Sequence, residues 1–139
     1  MVLCDGVHRD FTTGKYTILG TFSTLGAYAF PAKISFCIYF AITDGLGPTR
    51  LRLRLVDAES GIVDKGENVT EGLVFEIETD LAFEDPLAVV ETVVAIRTAL
   101  PRAGLYHCEL WAGDDMLMSR RLLAVQKTSG ETEEVKSDE

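Results

Sequence analysis

The chain has 139 residues, the size of a single domain, and size scaling predicts that about 68% of its surface is buried on folding. Apolar residues make up 47% of the chain, so the composition excludes global disorder. Thirteen basic residues stand against twenty-two acidic ones. The resulting net charge of −9 argues against nucleic acid or an anionic membrane surface as the main partner.

The start of the chain carries charged residues before any apolar stretch long enough for the core of a signal peptide, as Asp5 and Arg9 show. The longest strongly apolar stretch is residues 34–42, which is about half the length of a membrane-spanning helix. We therefore expect a cytoplasmic protein that does not cross a membrane.

Alternation of apolar and polar residues with a period of two dominates the sequence, whereas helical spacing is not sustained beyond about two turns. This pattern predicts a nearly all-β chain. The predicted strands, in chain order, are residues 2–7, 15–25, 33–43, 50–56, 73–81, 87–100, 105–112 and 116–125. Seven to eight short strands separated by turns are typical of an antiparallel two-sheet sandwich, with a small closed barrel as the alternative.

Two of these strands show the alternation most clearly. In residues 33–43, five large apolar side chains from Ile34 to Ile42 share one face, which we predict to face the core. In residues 50–56, leucines predicted to point inward alternate with arginines predicted to point outward. These alternating residues are Leu51, Leu53 and Leu55, and Arg50, Arg52 and Arg54.

Segment 87–100 is less clear, because its alanines and leucines also allow a helix, but its β-branched residues favour a strand. Residues 1–125 are predicted to form one domain. Residues 126–139 are predicted to be a disordered acidic tail, whose five acidic and two basic groups supply −3 of the net charge. The folded body carries the remaining −6 together with the arginine strand, which weakens the argument against nucleic acid.

The residues before the last predicted hairpin read Pro101-Arg102-Ala103-Gly104-Leu105-Tyr106-His107-Cys108. This run resembles the segment before the sixth strand of immunoglobulin-like sandwiches, where a Gly-x-Tyr-x-Cys pattern places a corner tyrosine two residues ahead of a core position. The resemblance implies an immunoglobulin-like β-sandwich in which Tyr106 packs at a sheet corner with its hydroxyl bonded to nearby backbone. It indicates an architecture and no activity.

More widely, the chain resembles a family of small uncharacterised bacterial proteins. That family has a Cys-Asp start, a Thr-Gly-Lys turn, a Phe-Pro pair before a long strand, and a Gly-x-Tyr hairpin. The matching elements are Cys4-Asp5, Thr13-Gly14-Lys15, Phe30-Pro31 and Gly104 to Tyr106. The match spans most of residues 4–125, and it implies no catalytic residues.

The three cysteines lack the spacing of a redox or zinc motif, so we predict free buried thiols at Cys4, Cys37 and Cys108. Cys37 and Cys108 lie about where immunoglobulin domains carry a disulfide. However, Cys37 has the opposite parity to the core residues of its strand, whereas Cys108 shares the parity of Tyr106. We therefore expect the two sulfurs to face different ways and to form no disulfide.

Charged residues of opposite sign line two predicted strands: Arg50, Arg52 and Arg54 on one, and Glu76, Glu78 and Asp80 on the other. If the strands are neighbours, the favoured interpretation is cross-strand ion pairing. The alternative is an arginine stripe that recognises an acidic partner, because guanidinium groups bind carboxylates in a bidentate fashion.

Some residues on the side away from the predicted core are apolar, which suggests a homodimer or partner interface there. The residues in question are Cys37, Tyr39, Ala41, Val89, Val93, Ala95, Met116, Met118 and Leu122. Tyr39 and Trp111 are the candidate anchors. His107 has Glu109 beside it on the same face, so it is a candidate hydrogen-bonded or pH-sensitive contact, although an exposed strand face is favoured.

No catalytic, metal-binding or phosphate-binding motif is recognisable in the sequence, so we expect no enzyme activity and no cofactor. The favoured function is a non-catalytic binding or scaffolding module that acts through a sheet face, with a protein partner or a second copy of itself. The alternative is a sandwich that binds a small ligand or carbohydrate, which would require a concave site containing Trp111 or Tyr39 beside the acidic loops.

Overall fold

A computed structural model describes residues 1–59 and 72–128. These ranges contain nine strands and no helix. The strands are β1 (Val2–Arg9), β2 (Tyr16–Thr21), β3 (Thr24–Ala27), β4 (Ala32–Ile42), β5 (Gly47–Asp57), β6 (Leu73–Phe83), β7 (Val90–Leu100), β8 (Gly104–Ala112) and β9 (Asp115–Gln126). Most of the predicted acidic tail, residues 129–139, lies outside the described residues, as does the predicted polar connection at 60–71.

The strands form two sheets. The first sheet has four strands in the order β2-β1-β4-β7, and the second has five in the order β3-β9-β8-β5-β6. Six of the seven strand pairings in the described residues are antiparallel, and the β3–β9 pairing is parallel. The predicted all-β antiparallel sandwich is confirmed. It has nine strands in the described residues, where seven to eight were expected, and one of its pairings is parallel.

The extra strand arises because predicted strand 15–25 is divided between the two sheets. Gly20 adopts a φ of 68°, which is open to glycine at little cost, and the regular strand ends just after it. Phe22 then turns inward, and its ring packs edge-on against Phe36 with centroids 5.6 Å apart. The carbonyl of Ser23 accepts a hydrogen bond of 2.9 Å from the Leu123 amide, which connects the chain to β9.

The core lies between the two sheets and is built from the alternating residues of the central strands. The inward residues of β4 and the leucines of β5 are buried as predicted, while the arginines of β5 point outward. The main core residues are Phe36, Ile38, Phe40, Ile96 and Leu100 from the first sheet, and Leu51, Leu53, Leu55, Leu110 and Leu122 from the second. Both sheets therefore bury their apolar faces against each other.

The prediction that Met116, Met118 and Leu122 share an outer face was wrong. The β8–β9 register shifts between Leu110 and Trp111, so that Leu117 is an extra residue without a cross-strand partner. An extra residue reverses the parity of everything after it. Met116 therefore lies opposite Trp111 on the outside, whereas Met118 packs against the core and Leu122 is fully buried.

The cysteines face as their parity predicts. Cys108 is buried in the core, and desolvation raises the pKa of its thiol to about 12. Cys37 is half-buried on the other side of the first sheet, directly opposite Cys4 of β1. Cys4 is fully buried, and its thiol donates a hydrogen bond to the Cys37 carbonyl at 3.6 Å. The expectation of burial is thus met at Cys4 and Cys108 and only in part at Cys37.

The corner tyrosine implied by the resemblance is present. Tyr106 is fully buried, and its hydroxyl donates a hydrogen bond of 2.6 Å to the Arg102 carbonyl, four residues upstream. The same hydroxyl accepts a hydrogen bond of 3.2 Å from the Arg102 amide. The side chain therefore holds the turn between β7 and β8 against the end of the sheet.

Replacing Tyr106 with Phe should lower the free energy of unfolding by about 1–2 kcal/mol, because two backbone groups of Arg102 lose their hydrogen-bond partner. Urea-induced unfolding measures this loss. Tyr28→Phe is the matched control, because Tyr28 is half exposed, and it should change stability by less than about 0.5 kcal/mol. Equal effects of the two substitutions would contradict the assigned role of Tyr106.

Candidate interaction surface

Charged side chains cover the outer side of the second sheet. The β5–β6 register places Arg50, Arg52 and Arg54 directly opposite Asp80, Glu78 and Glu76. On the other side of β5, Arg52 lies opposite Trp111, and Arg54 lies opposite Glu109. We call this surface the charged face; its members are Arg50, Arg52, Arg54, Glu76, Glu78, Asp80, His107, Glu109, Trp111 and Arg121.

The predicted ion pairing across β5 and β6 is confirmed. Arg50 Nε lies 3.0 Å from Asp80 Oδ1, and its Nη1 lies 3.7 Å from Glu78 Oε1. The Arg50 guanidinium lowers the pKa of the Asp80 carboxyl, because it donates this hydrogen bond to the carboxylate and its positive charge favours the ionised form. Such exposed pairs contribute little to stability, so their main effect is to neutralise the surface.

The other two arginines share one carboxylate. Glu76 Oε2 lies 3.5 Å from Arg52 Nη1 and 3.7 Å from Arg54 Nε. The Arg54 side chain is only 13% exposed, and its buried Nε makes no hydrogen bond.

The charged face carries four basic and four acidic residues, and its charge is therefore balanced within the chain. The idea that the arginines recognise an acidic partner stays a prediction.

Trp111 is held in place from two sides. Its indole Nε1 donates a hydrogen bond of 2.9 Å to Glu109 Oε1, and the guanidinium carbon of Arg52 lies 5.6 Å from its ring centroid. Arg52 itself donates a hydrogen bond of 3.0 Å to the carbonyl of Gly113 in the β8–β9 turn. Met116, which is 50% exposed, lies opposite Trp111. This end of the charged face thus combines an oriented aromatic ring with an exposed apolar side chain.

His107 is not paired with Glu109. Its Nδ1 lies 3.5 Å from the Ser119 hydroxyl, and it lies opposite Arg121 in the β8–β9 register. Glu109 instead accepts the hydrogen bond from Trp111. The structure places His107 on the charged face, but without the hydrogen bond that would couple it to a carboxylate there.

Tyr39 lies on the opposite side of the molecule, on the outer side of the first sheet. Its hydroxyl donates a hydrogen bond of 2.5 Å to Glu91 Oε2 on β7, and its ring centroid lies 5.6 Å from that of Tyr16. Tyr39 and Trp111 therefore do not form one site. The site expected to contain both side chains is divided between two faces of the sandwich.

The contact between Tyr16 and Tyr39 reveals how the first sheet is shaped. Tyr16 lies opposite Arg9 at one end of β1, whereas Tyr39 lies opposite Val2 at the other end. A straight strand would separate these two positions by about 23 Å. The hairpin of β1 and β2 must therefore curl back over the outer side of β4, so that Tyr16 packs against Tyr39 on the apolar surface predicted to be an interface.

Glu91→Gln should lower the pKa of Tyr39, which the hydrogen bond to Glu91, burial and the Glu91 charge raise to about 12. Because the folded state holds this proton more tightly, the contribution to stability is complete below a pH of about 10 and is lost as the pH rises toward 12. Absorbance of tyrosinate as a function of pH measures the shift.

The matched control is Glu84→Gln, on an exposed residue of the β6–β7 connection. A tyrosine titration curve that Glu91→Gln leaves unchanged would contradict the hydrogen bond.

Sequence analysis did not identify an ion-pair cluster at the end of β5. Asp57 is buried, and its Oδ1 lies 2.7 Å from Arg102 Nη2. Arg102 Nη1 also lies 2.6 Å from Glu59 Oε1. Because Arg102 provides the backbone groups that bind Tyr106, the cluster ties β5 to the tyrosine corner. The one indication of this cluster in the sequence was the presence of Arg102 in the Pro-x-x-Gly turn.

Asp57→Ala should lower the free energy of unfolding by about 2–4 kcal/mol, because it removes the buried partner of Arg102. Glu59→Ala is the control on the same arginine: Glu59 is 59% exposed, so the loss should be below about 1 kcal/mol. Chemical unfolding of both variants measures the difference, and a larger loss for Glu59→Ala would refute the assignment.

A cleft of about 300 Å³ lies between β6 and β7, where the two sheets separate. Its walls include core residues such as Phe40, Leu51 and Leu53, but neither Tyr39 nor Trp111.

In residues 1–59 and 72–128, no group of three or more His, Cys, Asp or Glu side chains is arranged to hold a metal ion. The same ranges contain no helix long and apolar enough to cross a membrane.

The fold is a two-sheet β-sandwich, and its candidate interaction surface is the charge-balanced outer face of the second sheet. The chain belongs to DUF6941, a family of unknown function whose model matches residues 1–126. A comparison with curated proteins gave no match.

Proposed function

We propose that the protein is a non-catalytic binding or scaffolding module that contacts a protein partner through the Trp111 end of the charged face. The observation that carries this proposal is the fixed position of Trp111 between Glu109 and Arg52. An aromatic side chain that is already oriented loses little conformational entropy when a partner covers it. Tryptophan and arginine are also the residues most enriched among interface hot spots.

The surroundings of Trp111 support the same role. Met116 lies beside it, and Leu123 is 42% exposed further along the same strand, so a partner could cover apolar as well as polar surface. The balanced charge of the face favours a protein partner over nucleic acid, which would require unpaired cations.

We also propose a cytoplasmic location, because free thiols are typical of a reducing compartment.

We also infer an immunoglobulin-like topology. The neighbours β1-β4-β7 in one sheet and β9-β8-β5 in the other follow the order of the first, second and fifth strands and of the seventh, sixth and third strands of that fold. The corner tyrosine on β8 supports this correspondence. In the immunoglobulin fold, the strand that is fourth in chain order lies beside the fifth strand in the same sheet. That strand has no counterpart in the described residues, so β7 is an edge strand of the first sheet.

The small-ligand alternative has less support. The cleft between β6 and β7 is concave, but it lacks the aromatic side chains that this alternative would require.

Trp111→Ala should remove the partner from pull-downs with the tagged protein, while the melting temperature changes little because Trp111 lies outside the core cluster. Tyr28→Ala, on an exposed tyrosine, is the control and should retain the partner. An unchanged set of partners with Trp111→Ala would overturn the proposal.

Combined replacement of Arg50, Arg52 and Arg54 by Ser distinguishes the roles of the arginines. A loss of partners without a large change in melting temperature would assign recognition to them. A large loss of stability with unchanged partners would show that they act only within the sheet.

A further inference from the structure

We propose that two copies of the chain form a symmetric homodimer by pairing their β7 strands antiparallel, edge to edge. The interface lies at the free edge of the first sheet and uses none of the residues of the charged face, so it stands independently of the function proposed above. The pairing would join the two four-stranded sheets into one continuous sheet of eight strands.

The free edge of β7 is available for such pairing. In the described residues β7 pairs only with β4, so alternate backbone amides and carbonyls along its other edge point away from any strand. The cleft beside it is lined by Thr92, Val93, Val94 and Ala95. The other wall of this cleft is formed by Ile77, Glu78 and Thr79 of β6. The middle of the edge therefore faces the cleft, and in the described residues no strand other than β4 is paired with β7.

β7 also lacks the features that keep other sheet edges from pairing. Natural edges are protected by shortness, bulges, glycine or proline, and repulsive charge. The edge strands β2 and β3 have only six and four residues, and each contains a glycine. The pairing of β6 with β5 is interrupted by a register shift between Leu55 and Val56. Strand β7 has eleven residues, no glycine, proline or lysine, and an uninterrupted register with β4.

Within residues 1–59 and 72–128, the two charges on β7 form no ion pair with a residue of opposite charge. Glu91 lies opposite Ala41, and Arg97 lies opposite Ser35. The two are six residues apart on one strand, about 20 Å, which is too far for them to pair with each other. Glu91 accepts a hydrogen bond from the Tyr39 hydroxyl, and Arg97 makes no ion pair within residues 1–59 and 72–128.

A second copy supplies the missing partners. When two β7 strands run antiparallel about Val94, Glu91 of each copy lies opposite Arg97 of the other. Val93 then lies opposite Ala95, and Val94 lies opposite itself. Two ion pairs and a row of small apolar contacts form at once, and the same residues are used on both sides, as a two-fold interface requires. If the register is shifted by one residue, Glu91 no longer lies opposite Arg97 of the other copy, and neither ion pair forms.

The test uses charge reversal at the two positions, with mass measured by sedimentation equilibrium over a range of protein concentrations. The wild type should dimerise. Glu91→Arg and Arg97→Glu should each weaken the dimer about tenfold or more, because each places two pairs of like charges opposite each other. The double variant carrying both substitutions should dimerise again, as should an equimolar mixture of the two single variants.

Both positions are exposed, and circular dichroism with thermal unfolding confirms that each variant is folded. Asp85→Arg, on an exposed residue of the β6–β7 connection, controls for the change in net charge and should leave the dimer intact. A monomeric wild type would overturn the proposal. So would folded single variants that dimerise as well as the wild type, or a folded double variant that remains monomeric.

Discussion

The register of β5 between β6 and β8 is the constraint on which the candidate surface depends. Leu51, Leu53 and Leu55 must face the core, and a slip of one residue would exchange them for three arginines. A slipped strand would bury three guanidinium groups without partners, and the free-energy cost of removing these charges from water would strongly destabilise the fold. The leucines therefore fix where the arginines stand, opposite the acids of β6 and beside Trp111 of β8.

The same alternation has a different result in the first sheet. Ile96 and Leu100 fix the register of β7 against β4, which leaves Glu91 and Arg97 on the outer side of a strand with one free edge. The second sheet brings opposite charges together on neighbouring strands, whereas the first places them at two ends of the same strand. The charges of the second sheet are therefore paired within the chain, whereas those of Glu91 and Arg97 would be paired across the β7–β7 contact that we propose.

Much of the fold could be predicted from the sequence, because period-two alternation reports burial directly. The core faces of β4 and β5, the opposite orientation of Cys37 and Cys108, and the buried Tyr106 all followed from parity or from a short local pattern. The ion pairs between β5 and β6 followed from alternation and required only that the strands be neighbours.

The features that sequence analysis missed depend on events that break the alternation or act over long distances. The extra residue at Leu117 reverses the parity of the residues after it. The turn at Phe22 moves the chain between sheets, and the curl of the first hairpin packs Tyr16 against Tyr39, on the surface predicted to be an interface. The contact between Asp57 and Arg102 joins residues 45 positions apart. None of these has a periodic signal.

Amide hydrogen exchange of β7 as a function of protein concentration tests the central claim most directly, because it reports which backbone edge a second copy covers. The account predicts that alternate amides between Val90 and Thr98 exchange rapidly in dilute solution and become protected as the concentration rises. The amides of β6, β2 and the charged face should not change. Exchange in β7 that is independent of concentration, or protection that appears at another edge, would contradict it.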